Sequence, residues 1–345
     1  MVRSNVIKNA LSILALAVIV YILKELQNIF IPLTFAIFLS FLFQPINRYL
    51  RDKRIPLFVN LTFFVILILF SFTVVGAVVY TSITSFVTDF PKYEEAISEM
   101  VKGFFTFIDM PFENVSSFLA NKVNWFQIAD RISLTRILTG TMGSFIDFFV
   151  KLLLTIAFMV FIMLDREDLN KRFRAVLSDD DLVFSEHVTT KMTKQINKYI
   201  VNKTIISLST GLLSMFFVAI FGIDFVVISG LLIFVLNFIP NIGSIIASAF
   251  PILICLIQYG MGWRLIAISS VLVGLQMLIG NFVEPRVMGK QLQLTPLSVL
   301  VSLIFWYWVW GPVGMILAVP ITSAITIVMK EIPSLRVISA LVSYD

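Results

Sequence analysis

Residues 225–263 read FVVISGLLIFVLNFIPNIGSIIASAFPILICLIQYGMGW, 39 positions without one Asp, Glu, Lys or Arg. A membrane-crossing helix needs about 20 apolar residues, so this run is too long for one helix. Near its middle stand Pro240, Asn241 and Gly243. Proline removes a helical N–H and glycine relaxes the backbone. The run therefore divides into two helical arms folded back on each other. In lipid, the backbone groups freed at such a break must face protein or a wet cavity.

A second run of 39 uncharged residues spans 291–329 and is broken at Trp310-Gly311-Pro312-Val313-Gly314. The two runs share a loose pattern: Gly243-Ser-Ile-Ile-Ala247 with Pro251-Ile252, and Gly314-Met-Ile-Leu-Ala318 with Pro320-Ile321. Paired broken segments point to a transporter binding site. Two readings stand at this stage. The runs are half-helices that re-enter, or they are two ordinary helical hairpins with tight turns.

The rest of the chain agrees on its solvent. Of 345 residues, 59% are hydrophobic and only 14% charged, with 34 Phe. A soluble chain carries about 25% charge, so lipid is the main solvent here. Cytosolic enzymes, disordered proteins and secreted modules are excluded. The net charge of +5 fits basic cytoplasmic loops and implies no nucleic acid. One cysteine (Cys255) and one histidine (His187) leave no intrachain disulfide and almost no material for metal or nucleophilic chemistry.

Further apolar runs cover residues 9–23, 26–47, 55–80, 138–164, 204–223 and 265–283. The expected fold is an all-α polytopic membrane protein with about eight membrane segments, two of them broken hairpins. The first run is read as a retained helix rather than a cleaved leader, because no polar mature region follows it. Arg48, Arg51, Lys53 and Arg54 place the loop after the second helix in the cytoplasm, and both termini with it. The predicted parts are N-terminal transmembrane helices over 1–81, an extracytoplasmic amphipathic segment over 82–139 and a helix over 140–164. A cytoplasmic amphipathic segment (165–203), a transport core (204–330) and a cytoplasmic tail (331–345) follow.

Segment 82–139 holds seven acidic and five basic residues. Asp89 with Pro91 predicts the start of a new helix there, either a lid on the membrane surface or an oligomer contact. In the inner segment Phe184, Val188, Met192, Ile196 and Ile200 recur every four residues, which predicts a helix lying on the anionic inner leaflet. Asp179-Asp-Asp is read as a solvated helix start rather than a metal site. Asp147 and Lys151 are spaced as an i, i+4 pair within an apolar run. They pair with each other or across a subunit contact, or Lys151 snorkels to the surface.

No phosphate loop, His-Glu-x-x-His or Gly-x-Ser-x-Gly is present, so neither an enzyme nor a cofactor is expected. The polar groups of the last 120 residues are mostly neutral: Asn237, Asn241, Ser244, Gln258, Gln276 and Asn281. Amides both donate and accept and suit a small hydroxylated solute. The competing reading is that they bond helices together.

Three motifs in order carry a resemblance. They are Phe234-Val-Leu-Asn-Phe-Ile-Pro-Asn-Ile-Gly-Ser244, then Gly280-Asn-Phe-Val-Glu-Pro-Arg-Val-Met-Gly289. The third runs from Leu303-Ile-Phe-Trp306 through Trp310-Gly-Pro-Val-Gly-Met-Ile-Leu-Ala-Val-Pro320. Together they resemble the autoinducer-2 exporter family of bacterial and archaeal membrane proteins, also called PerM-like permeases. The resemblance implies export of autoinducer-2, a small polyhydroxylated furanone. Some members are linked instead to sodium or proton antiport. It also implies a homo-oligomer, a pentamer. Asn237, Pro240, Asn241, Gly243 and Ser244 match the first motif, and Asn281, Glu284, Pro285, Arg286 and Gly289 the second. Gly311, Pro312, Gly314 and Pro320 match the third. Where some relatives carry an acid just before the second motif, this chain has Ile279-Gly280.

The leading expectation is a secondary transporter of a small polar solute. Its solute-binding residues are Asn237, Pro240, Asn241, Gly243, Ser244, Gln276, Asn281, Gly311, Pro312 and Gly314, with the two hairpin tips near mid-membrane. Glu284 carries a coupling proton or sodium, or pairs with Arg286 to hold the helix end. A sodium or proton antiporter, a non-transport scaffold and a passive channel are the other readings.

Overall fold

The computed structural model describes residues 2–107, 146–165, 179–240, 242–288 and 294–331, with 339, 342 and 343. These residues are almost wholly helical, with a single isolated β-bridge between Leu294 and Ser343. In order the helices are α1 (Val2–Glu25), α2 (Gln27–Asp52), α3 (Leu57–Phe107), α4 (Ile146–Asp165), α5 (Asp179–Ile220), α6 (Val226–Leu236), α7 (Ile242–Tyr259) and α8 (Trp263–Leu278). A π turn at Ile279–Val283, α9 (Glu284–Met288) and α10 (Pro296–Glu331) follow. Among the described residues, seven stretches are long and apolar enough to cross a membrane, and α6 is a shorter apolar helix. The chain is an all-α polytopic membrane protein.

Two compact units divide it. One comprises Met1–Val65, Phe149–Lys203 and Met288–Asp345, the other Ile66–Phe148 and Thr204–Val287. The first broken run therefore belongs to one unit and the second to the other.

Both runs fold back. In the first, α6 leaves a turn at Asp224 and α7 returns to Tyr259. The backbone N–H of Asp224 donates to Gln258 Oε1 at 3.1 Å, and Tyr259 Oη donates to the Gly222 carbonyl at 2.7 Å. The start of α6 and the end of α7 thus lie together, and the break at 237–241 is the far tip. The 11 residues of α6 rise only about 16 Å, roughly half of a hydrocarbon core about 30 Å thick. This arm is too short to cross, which favours the re-entrant reading over a full hairpin.

In the second run, Trp310 (φ −127°, ψ 16°) and Gly311 (φ 62°, ψ −149°) leave the helical region inside α10. The Trp306 indole Nε1 donates to Thr322 Oγ1 at 3.1 Å. Sixteen residues of straight helix would separate those groups by about 24 Å, so the chain reverses at the break. The Gly311 dihedrals lie in a region open essentially to glycine alone, which explains why a glycine precedes Pro312.

Two elements differ from expectation. Helix α3 runs unbroken through Asp89 and Pro91 to Phe107, so those residues open no new helix. Its 51 residues extend about 76 Å, more than twice the hydrocarbon core. Water beyond the span can solvate the one carbonyl that Pro91 frees. Likewise α5 is a single helix from Asp179 to Ile220. Its polar first part is continuous with the span Thr193–Ile220 and is not a separate helix. The boundary expected between 203 and 204 falls inside this helix, and it is also where the two compact units divide, at Lys203 and Thr204.

Proline in α2 creates a need that α5 meets. Pro45 offers no N–H, so the Phe41 carbonyl lacks its helical donor. Asn197 Nδ2 of α5 donates to that carbonyl, and also to Gln44 Oε1 at 3.3 Å. Nearby, Asn60 Nδ2 of α3 donates to Asn47 Oδ1 of α2 at 3.1 Å, and Phe43 stacks on Phe64 with centroids 4.6 Å apart. Substituting Asn197→Leu is expected to cost about 1 kcal/mol or more, the penalty for a partly buried acceptor left bare. Thermal unfolding in detergent checks this; Asn197→Leu melting with wild type would show that the Phe41 carbonyl needs no such donor.

Candidate functional site

The first break is built from small and neutral groups. Helix α5 presents Ser207, Thr210, Gly211 and Ser214 along one buried face. Small residues let helix backbones approach closely, and the approach is tight: a Cβ on Gly211 would stand 2.8 Å from the Gly230 carbonyl of α6. Immediately after α6, Asn237 (4% exposed) donates from Nδ2 to Ser207 Oγ (0% exposed) at 2.9 Å. An amide and a hydroxyl, neither charged, thus fasten the broken tip to α5. Ser207 is the partner that sequence reasoning missed. Its Ser-x-x-Thr-Gly-x-x-Ser spacing was the available signal.

At the tip the Ile239 N–H donates to the Leu236 carbonyl at 2.9 Å, and Pro240 follows. Asn241 lies outside the described residues. Gly243 is buried, and a Cβ there would stand 1.7 Å from the Leu236 carbonyl oxygen. The second break repeats the arrangement. A Cβ on Gly314 would stand 2.0 Å from the Trp306 carbonyl oxygen. Each would also meet the Cβ of the residue four before it, Ile239 or Trp310, at 3.1 Å. Four residues on, Ala247 and Ala318 are both fully buried. What the structure gives Gly243 and Gly314 is a spacing role, with the returning arm seated on the outgoing one. Ser244 is half-buried beside Gly243.

Three polar atoms of the same unit are buried without a hydrogen-bond partner: Ser214 Oγ, Ser248 Oγ and Gln276 Nε2. Gln276 lies on α8, which packs against α7. Beyond it the helix widens into the π turn, where the Glu284 N–H donates to the Ile279 carbonyl. Pro285 explains the widening, because its ring would collide with the carbonyl four residues earlier, that of Asn281. Asn281 is exposed on this turn, Glu284 half-buried and Arg286 exposed. Single-turn π segments of this kind occur often at functional sites. Gly289 lies outside the described residues.

Gly311 and Pro312 stand elsewhere, in the other unit. Trp310 Nε1 donates to the Leu23 carbonyl at 2.9 Å, and Lys24 Nζ lies 3.9 Å from the Trp308 ring centroid. Leu23 is two residues from the end of α1, where carbonyls lack helical partners, so Trp310 caps that end. The second tip is thus seated at the α1–α2 corner, beside Lys24 and Glu25. Asp147 and Lys151 lie one turn apart on α4, Asp147 exposed and Lys151 half-buried.

Comparison with known proteins now bears on this geometry. The model of the AI-2E family transporter matches residues 11–334. The chain is 28% identical over 340 residues to the AI-2 transport protein TqsA of Escherichia coli (strain K12), covering 98% of this chain and 96% of that one. It is 27% identical over 338 residues to a Haemophilus influenzae protein named "Putative transport protein", covering 96% and 94%. It is 25% identical over 330 residues to "Putative transport protein YrrI" of Bacillus subtilis (strain 168), covering 90% and 88%.

Proposed function

The chain belongs to the AI-2E family of transporters, and from that premise we propose that it is a secondary transporter exporting a small polar solute, autoinducer-2 or a related hydroxylated signal. The observation that carries this reading is the neutral chemistry of the first break. Asn237 and Ser207 are buried there as a pair, and Ser214, Ser248 and Gln276 bring unspent hydrogen-bonding capacity to the same unit. Buried polar atoms are normally satisfied, so a solute rich in hydroxyls, which both donate and accept, complements them. The name of TqsA, an AI-2 transport protein, supports the same substrate class.

In this reading Asn237, Asn241, Ser244, Gln276 and Asn281 contact the solute, with Pro240 and Gly243 shaping the first tip and Gly311, Pro312 and Gly314 the second. Movement of the hairpins alternates access. Glu284 carries the coupling proton or sodium, and Arg286 holds the helix end beside it. Asp147 and Lys151 stabilise assembly. The protein works as a homopentamer in a bacterial or archaeal cell membrane, with both termini cytoplasmic.

Counterflow in proteoliposomes, with labelled autoinducer-2 and a panel of hydroxylated and charged solutes, tests the reading. Saturable exchange of the hydroxylated solutes is expected, and its absence overturns it. Asn241→Ala and Glu284→Gln are each expected to lower flux about tenfold, the cost of one lost solute or ion contact. Wild-type flux in both removes this site assignment while leaving transport intact.

A further inference from the structure

A second polar recess lies far from the hairpin tip, where α3 passes the α5–α6 turn. It is a cleft of about 300 Å³. Thr81, Ser82 and Ser85 line it from one face of α3, and Asp224, Phe225 and Val227 line it from the turn and the start of α6. The ordering of this turn is costly. Phe225 has φ +59°, a left-handed conformation that bulky residues rarely adopt and that persists where the surroundings impose it. Here they do. Tyr93 Oη donates to Asp224 Oδ2 at 2.7 Å, the Asp224 N–H donates to Gln258 Oε1, and the Tyr93 and Phe225 rings stand 6.0 Å apart. Strained residues of this kind cluster at ligand clamps.

The lining narrows the ligand class. Three hydroxyls and a carboxylate face an apolar wall, and among the described residues no lysine or arginine lines the cleft. An anion would meet the Asp224 carboxylate unopposed. A small cation would find one charge and a broad, half-apolar wall, poor substitutes for a shell of six to eight oxygens. A neutral polyol fits both halves, with its hydroxyls donating to Asp224 and exchanging hydrogen bonds with Thr81, Ser82 and Ser85. Its carbon face would rest on Phe225 and Val227. The volume lies at the lower end of the range of small-molecule sites, about 300–1,000 Å³.

The geometry points to a binding site for a small neutral polyol at this cleft, a second station for the solute beside the α5–α6 turn. As a station for the transported solute it rests on the transport reading, and its test does not depend on flux. The chain has one cysteine, Cys255, and it is fully buried. Ser82→Cys therefore supplies a single accessible thiol on the cleft wall of the full-length protein. Its alkylation by a polar maleimide is followed with D-ribose or autoinducer-2 as neutral probes, and with sodium chloride or sodium phosphate as charged ones.

The neutral probes are expected to slow labelling and the salts to leave it unchanged. Adding Asp224→Asn is expected to raise the concentration for half-protection about tenfold, as loss of a charged hydrogen-bond acceptor does. Tyr93→Phe removes the latch hydroxyl but keeps the carboxylate, so protection is expected to survive it. No protection by any neutral probe, equal protection by a salt, or equal losses from Asp224→Asn and Tyr93→Phe each overturn the site. Protection without counterflow would keep this site and overturn the transport reading. Counterflow without protection would do the reverse.

Discussion

Alanine at Gly243 or Gly314 is expected to be the most damaging single-methyl change in this protein. A Cβ at these positions would stand 1.7 Å and 2.0 Å from backbone carbonyl oxygens of the opposing arm. Those oxygens belong to the main chain, so no side-chain rotation relieves the clash; the two arms must spread. Inserting a methyl group into a packed interior costs about 1–3 kcal/mol and occasionally more, and a main-chain collision belongs at the upper end. The expected result is a fall in apparent melting temperature on the order of 5 °C in detergent. The two positions should behave alike, because the two breaks repeat one local geometry.

The controls carry an opposite sign. Gly76 and Gly274 are helical and would meet nothing within 4 Å of an added Cβ. Alanine there removes backbone entropy from the unfolded chain at no steric cost, so Gly76→Ala and Gly274→Ala should be neutral or stabilising by up to about 1 kcal/mol. Four glycines in apolar helical segments thus divide into two classes on packing alone. If all four alanine variants melt with wild type, the arms are not in contact and the close hairpin is wrong.

The breaks were legible in the sequence because their signals are local. Pro240 and Pro312 each lack a donor, Gly311 supplies a conformation other residues avoid, and no charge interrupts either run. Helix continuity was less legible. Asp89 and Pro91 form a standard start signal, yet α3 passes through them. Local capping preferences of a kilocalorie or so do not outweigh a helix already propagating. The same applies at 203–204, where hydropathy changes but the helix does not end. Partners distant in sequence were the least legible. Pro45 announces a bare carbonyl at Phe41, but nothing nearby in the chain says that Asn197 will supply the donor. Trp310 is an obvious donor in an apolar run, and the end of α1 that receives it is 287 residues away. Asn237 was a visible candidate, whereas Ser207 looked like one of several small residues on a helix.

That last pair allows solute contact to be separated from helix fastening. Asn237→Leu strips the Ser207 hydroxyl of its partner, and Ser207→Ala strips the Asn237 amide, both in a buried place. Each single change should cost about 1–3 kcal/mol, the penalty for a stranded polar group. The combination Asn237→Leu with Ser207→Ala removes both groups and strands neither. It should therefore recover part of that loss, with a coupling of at least about 1 kcal/mol. Melting temperatures of the four proteins give the coupling directly, and strict additivity would show that the two groups do not interact. Flux then decides the role. If the amide only fastens the tip to α5, the recovered double variant should transport like wild type. If the amide also meets the solute's hydroxyls, the double variant should be stable yet impaired by about tenfold or more, since each 1.4 kcal/mol of lost binding is a factor of ten. The impaired outcome is expected, because the Asn237 amide lies one turn from the break and has more hydrogen-bonding capacity than one serine hydroxyl consumes.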